Sequence, residues 1–335
     1  FTGENLKNVK RLVAKKTDLT NIWCIASHSH SAPGLQEDFP SKKKPYVDDM
    51  EAKIADAIIR ASWNMQPASL GLGMGRVEEG FNRRRIVDGV AEMFWVNRER
   101  APTTPVDYSL GLIRVNDAKG APIAHLVNFQ CHPVVLGPEN LDISADYPGY
   151  MMAAVEKALG GQAMFMQGAA GDINPFWDKT PPAEGAFEQC EKMGLAVADE
   201  VIRVSKTISD FDPDVPISFS TEVIPLAHRN DIERRDKKFF AEVNTVVLGD
   251  SLALATFPGE FFVEHGLHLK SASKVPNTFF IGYCNGRLRY FPTIKACTEG
   301  GYGAASATQV EVGAGERLVN RAIINLHYQA EHIRK

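Results

Sequence analysis

Five short apolar runs in this sequence end directly in clusters of polar residues. They are "IWCIAS" before "HSHSAPG", "HLVNFQ" before "CHP", "AMFMQ" before "GAAGDINP", "LALATF" before "PGE", and "FFIGY" before "CNGRLRY". Runs that are apolar throughout are typical of buried strands, and loops at strand ends commonly carry functional groups. The sequence therefore predicts an α/β fold, made of mixed β-sheets with flanking helices, and a functional site at the strand ends.

Periodicity and turn residues assign the individual elements. The predicted helices span residues 5–17, 48–63 and 187–204. The predicted strands span residues 21–27, 123–130, 163–167, 215–226, 244–249, 252–257 and 277–283. No low-complexity linker or internal repeat divides the chain, so we expect one domain over residues 1–335.

Composition argues against several classes of protein. A net charge of -4, a pI of about 6.2 and the absence of long runs of like charge predict no nucleic-acid binding. No stretch approaches the roughly 18 consecutive apolar residues of a membrane-spanning helix, and the first residues lack the pattern of a signal peptide. The 5 cysteines are scattered and form neither a CxxC pair nor a disulfide framework.

Three residues at the ends of apolar runs could together hold a metal ion: His28, His132 and Glu260. Two imidazoles and a carboxylate are a common ligand set for catalytic zinc. They lie more than 100 residues apart, so no local zinc motif connects them, and each histidine alone is also compatible with a structural role. Glu260 stands between Pro-Gly and two phenylalanines, where a buried carboxylate needs a metal or another cation to compensate it.

Six features occur in one order along the chain: "SHSHSAPG", "NFQCHP", "SADYPGY", "GAAGDINP", "PGEF" and a spaced pair of tyrosines. In this order they resemble the catalytic domain of the neutral/alkaline ceramidase family. The resemblance implies a zinc-dependent hydrolase that cleaves an N-acyl amide bond through attack by a water or hydroxide on the carbonyl. It also implies that four residues hold Zn²⁺: His28, His132, Glu260 and Tyr290.

The resemblance assigns further roles around these ligands. Tyr290 is the second tyrosine of a segment like N-x-Y-x-x-Y, in which Arg287 replaces the first, and Tyr302 follows twelve positions later as in the family. Tyr302 is expected to donate a hydrogen bond to the oxygen that becomes negative during the reaction. For either tyrosine, a packed ring with its hydroxyl at the surface is the alternative.

Two more polar residues near these motifs are candidates for the site. His30 lies two residues after His28, on the same side of the chain if the segment is extended. It is expected to bind substrate or move a proton. The alternative is an imidazole that supports a metal ligand or is solvated. Arg98 matches the arginine of an Asn-Arg motif and is expected to bind a substrate oxygen, although Arg98 and Arg100 could equally be surface charges.

The sequence departs from the family's pattern in "GDINP", where Asn174 occupies the position of an active-site serine. Asparagine is neither a nucleophile nor a base, so a covalent route through this position is excluded, and Asn174 is expected to contribute a hydrogen bond to substrate. Asp172 and Asp146 could each orient a histidine or accept a proton. For Asp146, capping of a helix that starts at "YPGY" is the favoured interpretation.

The resemblance also sets expectations about the whole protein. We expect a chain without the family's N-terminal strands and C-terminal immunoglobulin-like domain, a lipid-like or small N-acyl substrate, peripheral membrane contact, and a secreted or periplasmic location. The scaffold and the metal constrain the type of reaction more than they constrain the identity of the substrate. An esterase or lactonase is therefore an alternative. A non-catalytic, metal-free binding protein with the same fold is a further alternative.

Overall fold

The computed structural model describes residues 2–33, 45–229 and 238–333. Its helices are α1 (Gly3–Val13), α2 (Pro45–Trp63), α3 (Tyr147–Leu159), α4 (Ala186–Thr207), α5 (Val263–Ala272), α6 (Ile294–Glu299) and α7 (Ala314–Ile333), with one turn of 3-10 helix at Pro182–Glu184. Its strands are β1 (Ala68–Arg76), β2 (Phe81–Asn82), β3 (Arg84–Val87), β4 (Val90–Met93), β5 (Ser109–Asp117), β6 (Pro122–Phe129), β7 (Gln162–Gln167), β8 (Ile173–Asn174), β9 (Ile217–Ala227), β10 (Lys238–Leu248), β11 (Leu252–Thr256), β12 (Glu260–Phe261), β13 (Asn277–Ile281) and β14 (Tyr290–Phe291).

The long strands form two sheets of 4 strands each, in the orders β1-β5-β6-β7 and β13-β11-β10-β9. Each sheet is mixed. In the first, β6 and β7 are parallel and the other neighbours antiparallel, and in the second only β11 and β13 are parallel. The predicted fold class, mixed β-sheets with flanking helices, is confirmed.

The two sheets pack face to face and helices cover their outer faces. Apolar side chains between the sheets include Ile113 and Met166 from the first sheet and Phe279 from the second. The approach is close, because a Cβ atom at Gly111 would lie 2.3 Å from the Phe279 ring. Helices α3 and α4 pack on the first sheet, and α5 and α7 on the second. None of the helices in the described ranges is both long and apolar enough to cross a bilayer.

Most predicted elements are present, but the strand predicted over residues 21–27 is wrong. This segment makes one isolated bridge, between Ile25 and Cys284, flanked by backbone hydrogen bonds of 3.2 Å from Ala26 to Tyr283 and 3.0 Å from Asn285 to Cys24. Its apolar side chains pack between the sheets and against α1 and α2. The segment is therefore apolar because it is buried, although it forms no strand ladder.

Strand β1 was missed because glycine occupies every second position of "GLGMG". Gly73 and Gly75 face α4, and a Cβ atom at Gly73 would lie 2.4 Å from the Val204 side chain. Because the helix packs directly on the strand backbone, this face of β1 has no apolar side chains. Leu70 and Leu72, which alternate with the glycines, pack on the other face, between the two sheets.

Two short ladders beyond the main sheets hold the polar segments in place. Strand β2 pairs with β8 antiparallel, with Phe81 opposite Asn174. Strand β12 pairs with β14 parallel, with Glu260 opposite Tyr290. These ladders bring together segments that lie far apart in the sequence.

Asp146 caps helix α3, as the favoured interpretation of the sequence predicted. Its backbone has a positive φ of 55°, and its carboxylate accepts hydrogen bonds from the backbone N–H groups of Tyr147 at 2.8 Å and Leu136 at 3.0 Å. A third, longer bond of 3.4 Å comes from Val135. Burial raises the pKa of the Asp146 carboxyl although these three donors oppose the shift. The residue therefore joins the loop after β6 to the start of α3.

Replacement of Asp146 by alanine is expected to lower the free energy of unfolding by about 2–4 kcal/mol, because it removes a cap and leaves buried N–H groups unpaired. Denaturant unfolding followed by circular dichroism measures this change. The control is Asp142→Ala, which alters an exposed carboxylate of the same loop and should change stability by less than about 0.5 kcal/mol. Equal effects of the two substitutions would contradict the capping role.

Candidate metal centre

His28, His132 and Glu260 come together in the structure and could hold a metal ion. Their possible ligand atoms all lie within 4.8 Å of one another. The Nε2 atoms of His132 and His28 lie 3.3 Å and 3.5 Å from Oε2 of Glu260. Three residues that the sequence separates by more than 100 positions therefore form one cluster.

The loop after β6 fixes the orientation of His132. The backbone N–H and the ring Nδ1 of His132 both lie 3.0 Å from the carbonyl oxygen of Ile173. A proton on Nδ1 that is donated to this carbonyl leaves the Nε2 lone pair free to bind a metal. Burial is the main reason that the pKa of His132 falls to about 4, so the ring is neutral at pH 7.

The parallel ladder of β12 and β14 holds Glu260 beside Tyr290. Burial opposes ionisation of the Glu260 carboxyl, but the imidazoles of His28 and His132 outweigh it and hold its pKa well below the usual range. Burial and the Glu260 charge raise the pKa of the Tyr290 hydroxyl, which is therefore protonated at neutral pH in the metal-free protein. The ladder places a phenol oxygen next to the cluster, as the assignment of Tyr290 as a ligand requires.

His28 adopts a left-handed backbone conformation, with a φ of 71°. This region is unfavourable for residues other than glycine, and such strained residues cluster at functional sites. Stacking on Tyr283, with ring centroids 4.3 Å apart, holds the imidazole. The neighbouring Ser29 hydroxyl donates a hydrogen bond of 2.6 Å to the carbonyl of Ser144. The strained segment is therefore anchored on both sides of His28.

His30 lies beside the cluster on the same segment. Its Nε2 atom is 3.3 Å from Nε2 of His28, and its ring centroid is 6.3 Å from that of His132. The ring is more exposed to solvent than that of His28 and lines an open cleft. This position is compatible with contact to a substrate, and the roles given to His30 from the sequence remain predictions.

Arg83 is a residue of the site that the sequence did not single out. Its guanidinium is buried and donates to the carbonyl of Gly171 at 2.7 Å, the amide oxygen of Asn174 at 3.0 Å and the hydroxyl of Tyr290 at 3.2 Å. It also lies over the ring of Tyr302, 5.3 Å from the centroid. Like Arg98 and Arg321, Arg83 follows an asparagine, so the sequence contains three Asn-Arg pairs, and burial distinguishes Arg83 from the other two arginines.

Asn174 is fully buried, and both of its polar groups already have partners. Its amide oxygen accepts from Arg83, and its Nδ2 donates a hydrogen bond of 2.8 Å to the carboxylate of Asp178. Asp172, two residues earlier, accepts from the backbone of Val263 at 2.7 Å and from Asn82 at 2.8 Å. Asn174 is thus connected to the site by its hydrogen bond from Arg83. Its contribution to substrate binding stays a prediction.

A cleft of about 580 Å³ opens onto His132 and Tyr290. Tyr302 stands in its wall, with its ring 5.3 Å from that of Tyr290 and 5.5 Å from that of Trp95. Arg98 also lines the cleft, but its guanidinium forms an ion pair of 2.6 Å with Glu184 and lies over Trp177. Tyr302 and Arg98 are therefore accessible to a ligand in the cleft, as their predicted roles require, although nothing in the structure tests those roles.

The donor atoms of the cluster suit a divalent zinc ion. Two imidazole nitrogens, of which that of His132 is neutral at pH 7, and one ionised carboxylate are typical of catalytic zinc sites. The carbonyl of Ile173 supports the imidazole of His132 from behind, as in many zinc sites. Without a cation, the Glu260 carboxylate would be largely buried with no lysine or arginine paired to it among the described residues.

The metal-free protein should lose stability as the pH falls from about 7 to 4. The unfolded chain binds a proton at His132 near pH 6.5, whereas the folded chain keeps this ring neutral down to about pH 4. The His132 contribution to this loss is of the order of 3 kcal/mol. Chemical unfolding of the chelated protein across this range measures the slope of the unfolding free energy against pH. This slope should be smaller in His132→Asn. It should be unchanged in His327→Asn, which alters an exposed histidine as a control. Identical slopes for parent and His132→Asn would contradict the neutral buried imidazole.

Comparison with known proteins supports the fold. No family model and no curated protein matches this chain. Among solved structures, neutral ceramidase from Pseudomonas aeruginosa is similar with a TM-score of 0.77 and 18% identity, over 99% of this chain and 65% of that chain. A ceramidase complexed with C2 is similar with a TM-score of 0.73 and 16% identity, over 100% of this chain and 66% of that chain. This chain therefore spans slightly less than two thirds of either protein, and it has a ceramidase-like fold.

Proposed function

We propose that this chain is a zinc-dependent hydrolase that cleaves an N-acyl amide bond. The observation that carries the proposal is the cluster of His28, His132 and Glu260 in a ceramidase-like fold, in which His132 also lines a cleft. His28, His132, Glu260 and Tyr290 would hold the ion. Zinc bound to such donors polarises a carbonyl oxygen and makes hydroxide available near neutral pH.

The residues around the cluster would position and stabilise the reacting groups. In the overall reaction, water adds to the amide carbonyl, the C–N bond breaks, and a carboxylate and a protonated amine leave. Tyr302 would donate a hydrogen bond to the carbonyl oxygen as negative charge builds on it. His30, which lines the same cleft, would accept a proton from the attacking water and transfer it to the leaving nitrogen.

The remaining residues support this assignment from outside the cluster. Arg83 donates to the hydroxyl of Tyr290 and so would favour its anionic form when a metal is bound. Arg98 would bind a substrate oxygen from the wall of the cleft. Asn174 replaces a possible serine nucleophile, which favours direct attack by water over a covalent intermediate.

The substrate class follows from the similar structures and is part of the proposal. Both similar structures are ceramidases, and ceramides are N-acyl lipids. We therefore propose an N-acyl substrate of lipid-like character, reached by contact with a membrane or micelle surface. The exposed Leu141 and Ile143, on a loop bonded to the segment of His30, are apolar groups suited to such contact.

Metal content tests the ligand assignment. Elemental mass spectrometry of the purified protein should find about one zinc per chain, and far less in the double variant His28→Ala, Glu260→Ala, because two of the donors are lost. The matched control is His327→Ala, Glu331→Ala, which removes an exposed histidine and glutamate from α7 and should retain the zinc. A parent protein that holds no metal even after zinc is added would overturn the hydrolase proposal and favour a binding role.

Turnover tests the bond that is cleaved and the role of Tyr302. The zinc-loaded protein should hydrolyse an N-acyl amide, lose this activity with a chelator, and recover it with zinc. Tyr302→Phe should lower kcat by about 100-fold, since it removes one donor to the developing oxyanion. Tyr328→Phe alters an exposed tyrosine of α7 and should have no effect. Faster hydrolysis of the matching ester than of the amide, relative to their uncatalysed rates, would instead favour an esterase.

A further inference from the structure

Lys179 presents a positive charge to the cleft that is also lined by His132 and Tyr290. Its Nζ atom lies 2.9 Å and 3.0 Å from the two carboxylate oxygens of Asp178, and 4.9 Å from the centroid of the Trp95 ring. An ammonium group has three N–H donors, and Asp178 takes at most two of them. The side chain of Lys179 is 41% exposed, whereas that of Asp178 is 2% exposed. At least one donor of Lys179 is therefore available to a ligand.

The backbone and the buried partners of Lys179 hold it in this position. Its N–H donates a hydrogen bond of 2.8 Å to the carbonyl of Val134, and its φ of 48° lies in the left-handed region. Asp178 is in turn bonded to Asn174, whose amide oxygen accepts from Arg83. A continuous chain of hydrogen bonds thus runs from the Tyr290 hydroxyl to the ammonium group. A group held in this way loses little conformational entropy when it binds a ligand.

The charges that line the cleft do not cancel. Three cations face it, from Arg83, Arg98 and Lys179, against two carboxylates, from Asp178 and Glu184. Asp178 pairs with Lys179, and Glu184 with Arg98, while Arg83 forms no ion pair with any described residue. A zinc ion held by Glu260 and an anionic Tyr290 would be neutralised by these two ligands and would leave the excess of one positive charge among the lining side chains. A ligand with a negative charge would therefore be favoured over a neutral ligand of the same shape.

We infer that the substrate is an N-acyl compound that carries a carboxylate, such as an N-acyl amino acid, and that Lys179 binds this carboxylate in the cleft. The inference rests on the proposed function, because it takes the substrate to be an amide. It adds to that function a carboxylate near the amide bond of the substrate. Trp95 and Val96, which line the same cleft, offer apolar surface to the rest of the molecule.

A matched pair of substrates tests the inference in the zinc-loaded protein. N-hexanoylglycine carries a carboxylate, and N-hexanoylethanolamine carries a neutral hydroxyl at the corresponding position. The released amine is measured for each, and the ratio of the two kcat/KM values is the readout. We expect a ratio of about 10 or more in favour of N-hexanoylglycine, as for a hydrogen bond between charged groups.

Three variants show whether Lys179 is responsible. Lys179→Gln keeps a donor for the buried Asp178 but removes the charge, and it should lower the ratio about tenfold. Lys179→Arg keeps the charge and should retain most of the preference. Lys119→Gln removes an exposed lysine from the turn between β5 and β6 and should leave both rates unchanged. The inference is overturned if the parent prefers the hydroxyl compound, or if Lys179→Gln preserves the ratio.

Failure of the proposed function can be distinguished from failure of this inference. If neither compound is hydrolysed, the amide hydrolase proposal fails, and the same pair is titrated into the parent and Lys179→Gln by calorimetry. Binding of N-hexanoylglycine that is about tenfold tighter than that of N-hexanoylethanolamine in the parent alone would still support the carboxylate contact. Equal dissociation constants, or no binding of either compound, would overturn it.

Discussion

The arrangement of the site depends on the Glu260 carboxylate, which lies largely buried at the start of a short strand. Removing a carboxylate from water is costly unless opposite charge or strong donors compensate it. Two imidazoles stand within 3.5 Å of its Oε2 atom, and that of His132, which is neutral at pH 7, compensates the charge only in part. The proposed zinc ion would supply the rest of the compensation for this buried negative charge.

A second buried charge connects this cluster to the wall of the cleft. The Arg83 guanidinium bonds to Tyr290 on one side and to Asn174 on the other, and Asn174 continues to Asp178 and Lys179. Because each member uses its polar groups on its neighbours, a change at one position leaves an unpaired buried atom at the next. Tyr290 and Lys179 are thus held by one network, although Tyr290 belongs to β14 and Lys179 to the loop after β8.

The sequence predicted the fold class and the three residues of the cluster, because these depend on local patterns. Apolar runs identified most strands, and each of His28, His132 and Glu260 lies within three residues of the end of such a run. Arg83 was missed for a physical reason. Three arginines stand in a row at 83–85, of which Arg83 and Arg84 are buried and Arg85 is exposed. No local pattern distinguishes them, since the pairing of β2 with β8 decides which one faces the cleft.

Residues 21–27 illustrate the same limit. Their apolar character indicated burial correctly, but a strand requires a partner over its length, and within the described part of the chain only residues 283–285 supply one. The sequence by itself determined which segments are buried, where they end, and which side chains could bind a metal. Only the tertiary structure decided that these ends meet, that Asn174 and Asp178 join Arg83 to Lys179, and that the cleft carries excess positive charge. Burial and amphipathicity are encoded over a few residues, whereas distances between charges depend on contacts across more than 100 positions of the chain.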